Sequence, residues 1–148
     1  MNNRSRSTLF LIEQLIVVAV FAICAAACVR IITSAWYTAR ESRDINNAIH
    51  AAESGAESYK AVDGDLGKAA AVLGGKVGSA DSVSTVLVYY NSKWYVCAEA
   101  DEDARYVMRL KSEGPEPGGS LMIPGELLVQ RLTGETLISF PLAALRSG

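Results

Sequence analysis

Thr8-Leu9-Phe10-Leu11-Ile12-Glu13-Gln14-Leu15-Ile16-Val17-Val18, with the apolar run that carries on to Val29, decides how this chain is read. Between Leu9 and Val29 almost every side chain is apolar, yet one carboxylate, Glu13, stands a single turn inside the start. As a helix the run covers about 31 Å, the hydrocarbon thickness of a bilayer. A carboxylate at the centre of such a layer costs about 2.5–3.5 kcal/mol on insertion scales. Near the end of the run Glu13 can snorkel toward the interface at lower cost. Glu13 and Gln14 still require a reason, because no apolar neighbour needs either.

Working outward, the signal for helix does not stop at Val29. Residues 9 to 54 contain neither proline nor glycine. Apolar positions keep a helical beat: Ile32, Trp36 and Ala39, then Ile45, Ile49, Ala52, Ala56 and Tyr59 at alternating spacings of four and three. The opposite face carries Arg40, Arg43, Asp44, Asn47, His50, Glu53 and Glu57 and reads as solvated. Gly55 weakens the helix by about 1 kcal/mol without breaking it. The cluster Val62-Asp63-Gly64-Asp65 reads as its end. The expectation is one helix of about fifty residues, roughly 75–80 Å, apolar all round in its first half and one-faced in its second.

Four readings of the apolar run compete. In the first it is a cleaved secretory signal, with Arg4 and Arg6 as the basic region and Ala25-Ala26-Ala27 as the small-residue site. The alanines before Cys28 also faintly resemble a lipoprotein site. In the second it is a plain single-pass anchor, and in the third a buried core helix. The fourth is a family resemblance.

The stretch from Thr8 to Val18 resembles the amino-terminal motif of type IV pilins and of the pilin-like proteins of type II secretion. That family has a short basic leader, a peptidase site, a few apolar residues, a glutamate and a long aliphatic helix. Aligning Glu13 with the family glutamate makes Thr8 the last leader residue and Leu9 the first mature one. Glycine is favoured where Thr8 stands, so this chain departs from the pattern there. The resemblance implies cleavage between Thr8 and Leu9 by a prepilin peptidase, with methylation of the new terminus. It also implies that Glu13 neutralises the free amino terminus of a neighbouring subunit in a filament. Such pairing is physically sensible, since an ammonium and a carboxylate in low dielectric are each costly alone. It would also set the axial stagger between helices, as buried polar groups do in coiled coils. Other pilin-like subunits, membrane lipid, and an assembly platform with its ATPase are the implied partners. The implied layout is a cytoplasmic amino terminus and an extracytoplasmic head. Arg4 and Arg6 agree with that orientation, while Arg30, Arg40 and Arg43 weaken a pure charge-bias argument.

The domain plan is a leader at 1–8, a membrane or assembly helix at 9–30, its amphipathic continuation at 31–62, and a head at 63–148. In the head, Asp65 to Leu73 reads as a short helix with Asp65 as cap and Gly74-Gly75 as stop. A turn-rich stretch follows to Ser82. Strands are expected at Val83–Tyr90, Lys93–Ala98, Arg105–Leu110, Glu126–Leu132 and Glu135–Leu142. Asn91-Ser92 and Thr133-Gly134 serve as turns, and Pro141 confines the last strand to an edge or end. Glu113 to Gly119 reads as a loop. Strands grouped after helix argue for an α+β fold: a long amino-terminal helix packed on a small antiparallel sheet of four to six strands. Pilins and pseudopilins share that plan.

Composition excludes several function classes. From Ile31 onward eleven Lys and Arg face fifteen Asp and Glu, a net of −4, and no basic stripe suits nucleic acid. Three cysteines, two of them in the apolar run, make no disulfide framework. No enzyme is expected: the lone histidine, His50, with Glu53 and Ser54 nearby on one helix, lacks an oxyanion site and reads as solvated. No metal-ligand spacing and no phosphate loop occurs, so no cofactor is implied. The acidic run Glu99, Asp101, Glu102 and Asp103 reads as a solvated hairpin turn, with a hard cation such as calcium as the alternative. Tyr89, Tyr90, Trp94 and Tyr95 concentrate aromatic surface in one hairpin, read mainly as core.

Overall fold

A computed structural model of the chain describes residues 3–80, 83–114 and 121–145, with side chains at 8–78, 84–114 and 121–145. It divides into two compact units, Met1–Ser42 and Arg43–Gly148. Helix α1, Asn3–Ala61, belongs to both, so each part is described with its own unit. In the first unit α1 passes through Thr8-Leu9 and through Ala27-Cys28 as unbroken helix. Every side chain there from Thr8 to Ser42 is exposed.

The second unit is an α+β domain, as expected from the sequence. Its elements after α1 are helix α2 (Leu66–Leu73) and strands β1 (Lys76–Ala80), β2 (Val83–Asn91), β3 (Val96–Cys97), β4 (Ala104–Ser112), β5 (Met122–Arg131) and β6 (Thr136–Leu145). The strands form one sheet in the order β1-β2-β4-β5-β6, with β3 paired to β2, and every pairing is antiparallel. One face packs on the Arg43–Ala61 part of α1 and on α2. Val86, Val88 and Tyr90 of β2, Tyr106, Met108 and Leu110 of β4, and Ile123, Leu127 and Val129 of β5 alternate inward to build the core.

The helix meets that face through small residues. Ala48, Ala52, Gly55 and Tyr59 are its buried positions. This corrects the expected stripe by part of a turn: Ile45 is exposed and Ile49 only half-buried. A β-carbon on Gly55 would stand 2.8 Å from Leu127 Cδ1 and 2.9 Å from Met108 Sδ. Alanines and a glycine let the backbone come close, and the isoleucines are left to flank the contact. Tyr59 closes the stripe, its ring beside Gly125, where an added β-carbon would press to 2.7 Å on the Lys111 carbonyl. The Tyr59 hydroxyl donates to Ser112 Oγ at 2.9 Å, which satisfies a polar atom carried into the core.

The short helix forms as its residues dictate. The Asp65 carboxylate accepts from the N–H groups of Gly67 and Lys68, Gly74 takes the left-handed conformation at φ 68°, and Leu66, Ala69 and Ala70 are buried. Three expectations need correcting. The stretch from Lys76 to Ala80, read as turn, is an edge strand, made so by its partner β2 and not by its own glycine- and serine-containing composition. The return strand at Lys93–Ala98 shrinks to Val96–Cys97, because the Asn91 side chain accepts from both Lys93 N–H and Tyr95 N–H and Trp94 turns left-handed at φ 63°. Strand β3 shares one edge of β2 with β1, and β4 pairs along the opposite edge over most of the length of β2. The β5–β6 strands are longer than expected, joined through Gly134 at φ 95°, and Pro141 lies on β6, the edge strand. The expected loop at Glu113–Gly119 falls from Pro115 onward outside the described residues.

Candidate functional site

Thr8, Leu9 and Glu13 lie on one exposed stretch of α1, with Leu9 and Glu13 four residues apart and so on one helix face. Around them Phe10, Leu11, Ile12, Leu15 and Ile16 are all more than half exposed. An 18-residue window of this helix reaches a mean hydropathy of 2.8 with none of it buried, and it is long and apolar enough to cross a membrane. Surface of this kind has to be covered by lipid or by another apolar surface. A helix is the form in which a chain can enter lipid, since all its backbone groups are satisfied internally. Hydroxyls further along follow the same rule: Thr33 donates to the Val29 carbonyl at 2.9 Å and Thr38 to that of Ser34 at 3.1 Å. Cys24 and Cys28 are exposed free thiols on this helix.

In the second unit the polar face of α1 is less uniform than its sequence suggests. His50 is solvated, as expected, with Nδ1 3.4 Å from Glu53 Oε2 and 69 % of its side chain exposed. Asp44, expected in solvent, is instead 13 % exposed and bonded to Arg131 Nη2 at 2.9 Å. Arg131 also holds Glu135 across the β5–β6 turn. The bond from Asp44, followed by Glu135, raises the guanidinium pKa above its ordinary value. This clamp ties the helix to the far end of the sheet, and nothing in the one-dimensional pattern pairs residues 87 positions apart.

A groove of about 390 Å³ runs between α1, α2 and the β2–β3 connection, with Asn47, His50 and Ser54 on one side and Val72, Trp94 and Val96 on the other. Trp94 stacks on Tyr106 with ring centroids 4.1 Å apart and leans on Tyr90 at 5.8 Å. Its indole N–H is buried without an acceptor. Burial pushes the Tyr90 phenol up to about 12. Tyr89 is raised as well, by burial and then by its bond to Glu99. Cys97 is raised by burial and by the charges of Asp101 and Asp103, which makes its thiol less reactive than an ordinary one. Tyr95 is exposed, so the aromatic concentration divides between core and surface.

The acidic turn uses its carboxylates internally. Asp101 Oδ1 accepts from the Asp103 N–H at 3.0 Å, and Asp103 Oδ2 accepts from Ser92 Oγ at 2.9 Å. Among the described residues no group of three or more His, Cys, Asp or Glu side chains is arranged to hold a metal ion. The chain matches no family model, no curated protein and no solved structure.

The residues that sequence reasoning missed are Asp44 with Arg131, Gly55, Gly125, and the orphan indole of Trp94. Only the helical spacing of Ala48, Ala52 and Gly55 offered a signal in advance.

Proposed function

We propose that this chain is a pilin-like structural subunit, a pseudopilin or minor pilin of a type IV filament or a type II secretion-like assembly. It is held in the cell membrane by its amino-terminal helix until it assembles. The observation that carries this reading is a carboxylate, Glu13, one turn inside an exposed apolar helix that runs on into an α+β domain. A lipid anchor alone has no use for that charge. A neighbouring copy whose ammonium sits at Leu9 has, because each charge then offsets the desolvation of the other. Helices so paired share one stagger, and the long apolar surface of each covers the next.

In this reading the amino terminus is cytoplasmic and the Arg43–Gly148 unit lies on the far side of the membrane. A prepilin peptidase acts between Thr8 and Leu9, and an assembly platform with its ATPase extracts the subunit. The chain works by binding its own kind, and no catalytic residue is assigned.

Intact-mass measurement of the membrane-extracted protein tests the first step. A start at Leu9 supports the proposal. A start at Met1 favours a single-pass binding module that never polymerises, and a start near Ala27 or Cys28 favours a secreted or lipid-anchored domain. Glu13→Leu tests the second step. The variant should insert as well as or better than the parent, and lose incorporation into filaments or cross-linked oligomers. Unimpaired assembly of Glu13→Leu would remove the basis of the reading.

A further inference from the structure

Beyond the apolar run, α1 carries a short band that the assembly reading does not use. Trp36 and Tyr37 are 58 % and 63 % exposed, their rings 5.4 Å apart in an edge-on contact at 73°. The Arg40 guanidinium carbon lies 5.7 Å from the Trp36 ring centroid, within cation–π range. On a helix turning about 100° per residue, Arg30, Thr33, Trp36, Tyr37 and Arg40 fall within about one third of the circumference. The other side at this level carries Cys28, Ile31, Ile32, Ala35 and Ala39.

We propose that Arg30, Trp36, Tyr37 and Arg40 form a head-group band that binds the phosphates of the extracytoplasmic leaflet and sets the depth of the helix in the bilayer. The inference rests on the membrane part of the reading above and is independent of polymerisation. Three arguments meet here. Ile31 and Ile32 prolong the apolar surface past Arg30, and Trp36 lies four residues, about 6 Å, beyond Ile32, where the head-group layer begins. Indole and phenol rings favour that layer because it is apolar on one side and wet on the other. Two arginines supply the charge complementary to phosphate, and the stem of Arg30 is long enough to snorkel outward from the hydrocarbon edge. The hydroxyls of Thr33 and Thr38 are turned back onto the Val29 and Ser34 carbonyls, so neither takes part in the band.

The chain has two tryptophans, so the fluorescence of the full-length protein minus that of Trp36→Phe isolates the reporter at position 36. The protein is reconstituted in phosphatidylglycerol–phosphatidylethanolamine vesicles and its association is checked by flotation. Lipids brominated near the glycerol should quench Trp36 most, lipids brominated at the chain ends less, and aqueous iodide least. Replacing both Arg30 and Arg40 with Gln should raise iodide quenching of Trp36. Dominant iodide quenching in the parent would put Trp36 in water, and dominant chain-end quenching would bury it in hydrocarbon; either overturns the band while leaving the anchor intact. A protein that fails to float overturns both the band and the membrane reading. Unchanged iodide quenching in the double arginine variant overturns the role of phosphate.

Discussion

Residues Leu9–Ser42 and Arg43–Ala61 belong to the same helix, yet the chain solves two different problems with them. The first stretch buries nothing and, apart from Glu13 and Gln14, is apolar almost all round through Val29, so its surface is suited to lipid or to other helices. The second buries a narrow stripe of alanine, glycine and tyrosine against a sheet. Bulky aliphatic side chains suit the first, since they maximise contact with a deformable apolar medium. Small ones suit the second, where the backbone must approach the buried side chains of Leu127 and Met108. Hydrophobicity alone therefore misjudges both. The greasier stretch is the unburied one, and the best-packed positions are among the smallest residues in the chain.

That contrast can be broken by substitution. The largest effect is expected from Tyr59→Ala, which removes a fully buried ring and should cost the Arg43–Gly148 unit about 3–5 kcal/mol. Leu15→Ala, on the exposed stretch, should leave the same unfolding transition within about 0.5 kcal/mol of the parent. Denaturant melts of both in detergent check the pair, and equal losses would erase the distinction between the two stretches.

Next comes alkaline pH. Burial raises the folded Tyr90 phenol to about 12, above its unfolded value. Its contribution is therefore complete below about pH 10, and about 2–3 kcal/mol is lost as pH rises through the folded value. Tyr59 and Tyr89 are pushed in the same direction. Stability measured from pH 9 upward should fall, and it should fall less steeply in Tyr90→Phe.

A smaller loss is expected from Asp44→Asn, about 1–2 kcal/mol, because the Arg131 guanidinium keeps Glu135 but loses its more buried partner. Chemical denaturation of that variant against the parent gives the difference directly. Among the packed positions the smallest effect should come from Gly55→Ala. Its added methyl crowds the flexible ends of Leu127 and Met108 while improving helix propensity by about 1 kcal/mol, so a net change within about 1 kcal/mol is expected. Gly55→Leu has no such compensation and should destabilise clearly, which sharpens the close-approach argument in the same thermal melt.

Much of the fold was legible in advance because it rests on local rules. The glycine- and proline-free stretch gave the long helix, Asp65 and Gly74 bracket α2, and the β-branched and aromatic content of Val83–Tyr90 gave its strand. The failures share a cause. Lys76–Ala80 has no strand signal of its own and becomes one by bonding to β2. Asn91 redirects the chain through its side chain and shortens β3 to two residues on the edge of β2 that β1 also occupies. The rotation of the packed stripe, and with it the capture of Asp44 by Arg131, depends on how near the helix can come to the sheet. Of the candidate site, Thr8, Leu9 and Glu13 lie on the long helix expected from the sequence, because their placement needs only the helix itself. The band at Trp36, Tyr37 and Arg40 appeared once the ring and guanidinium contacts were seen.

What the amino-acid order determined unaided is an apolar helix with one acid near its start, followed by strands grouped in the second half. Helix periodicity and transfer free energy are properties of consecutive residues, so they can be read along the chain. What the tertiary structure alone decided is which side of the second stretch faces inward, which strand neighbours which, and which carboxylate is sheltered. Those depend on distances between residues far apart in sequence, where the fit of small side chains against large ones outweighs the hydrophobicity of any single position.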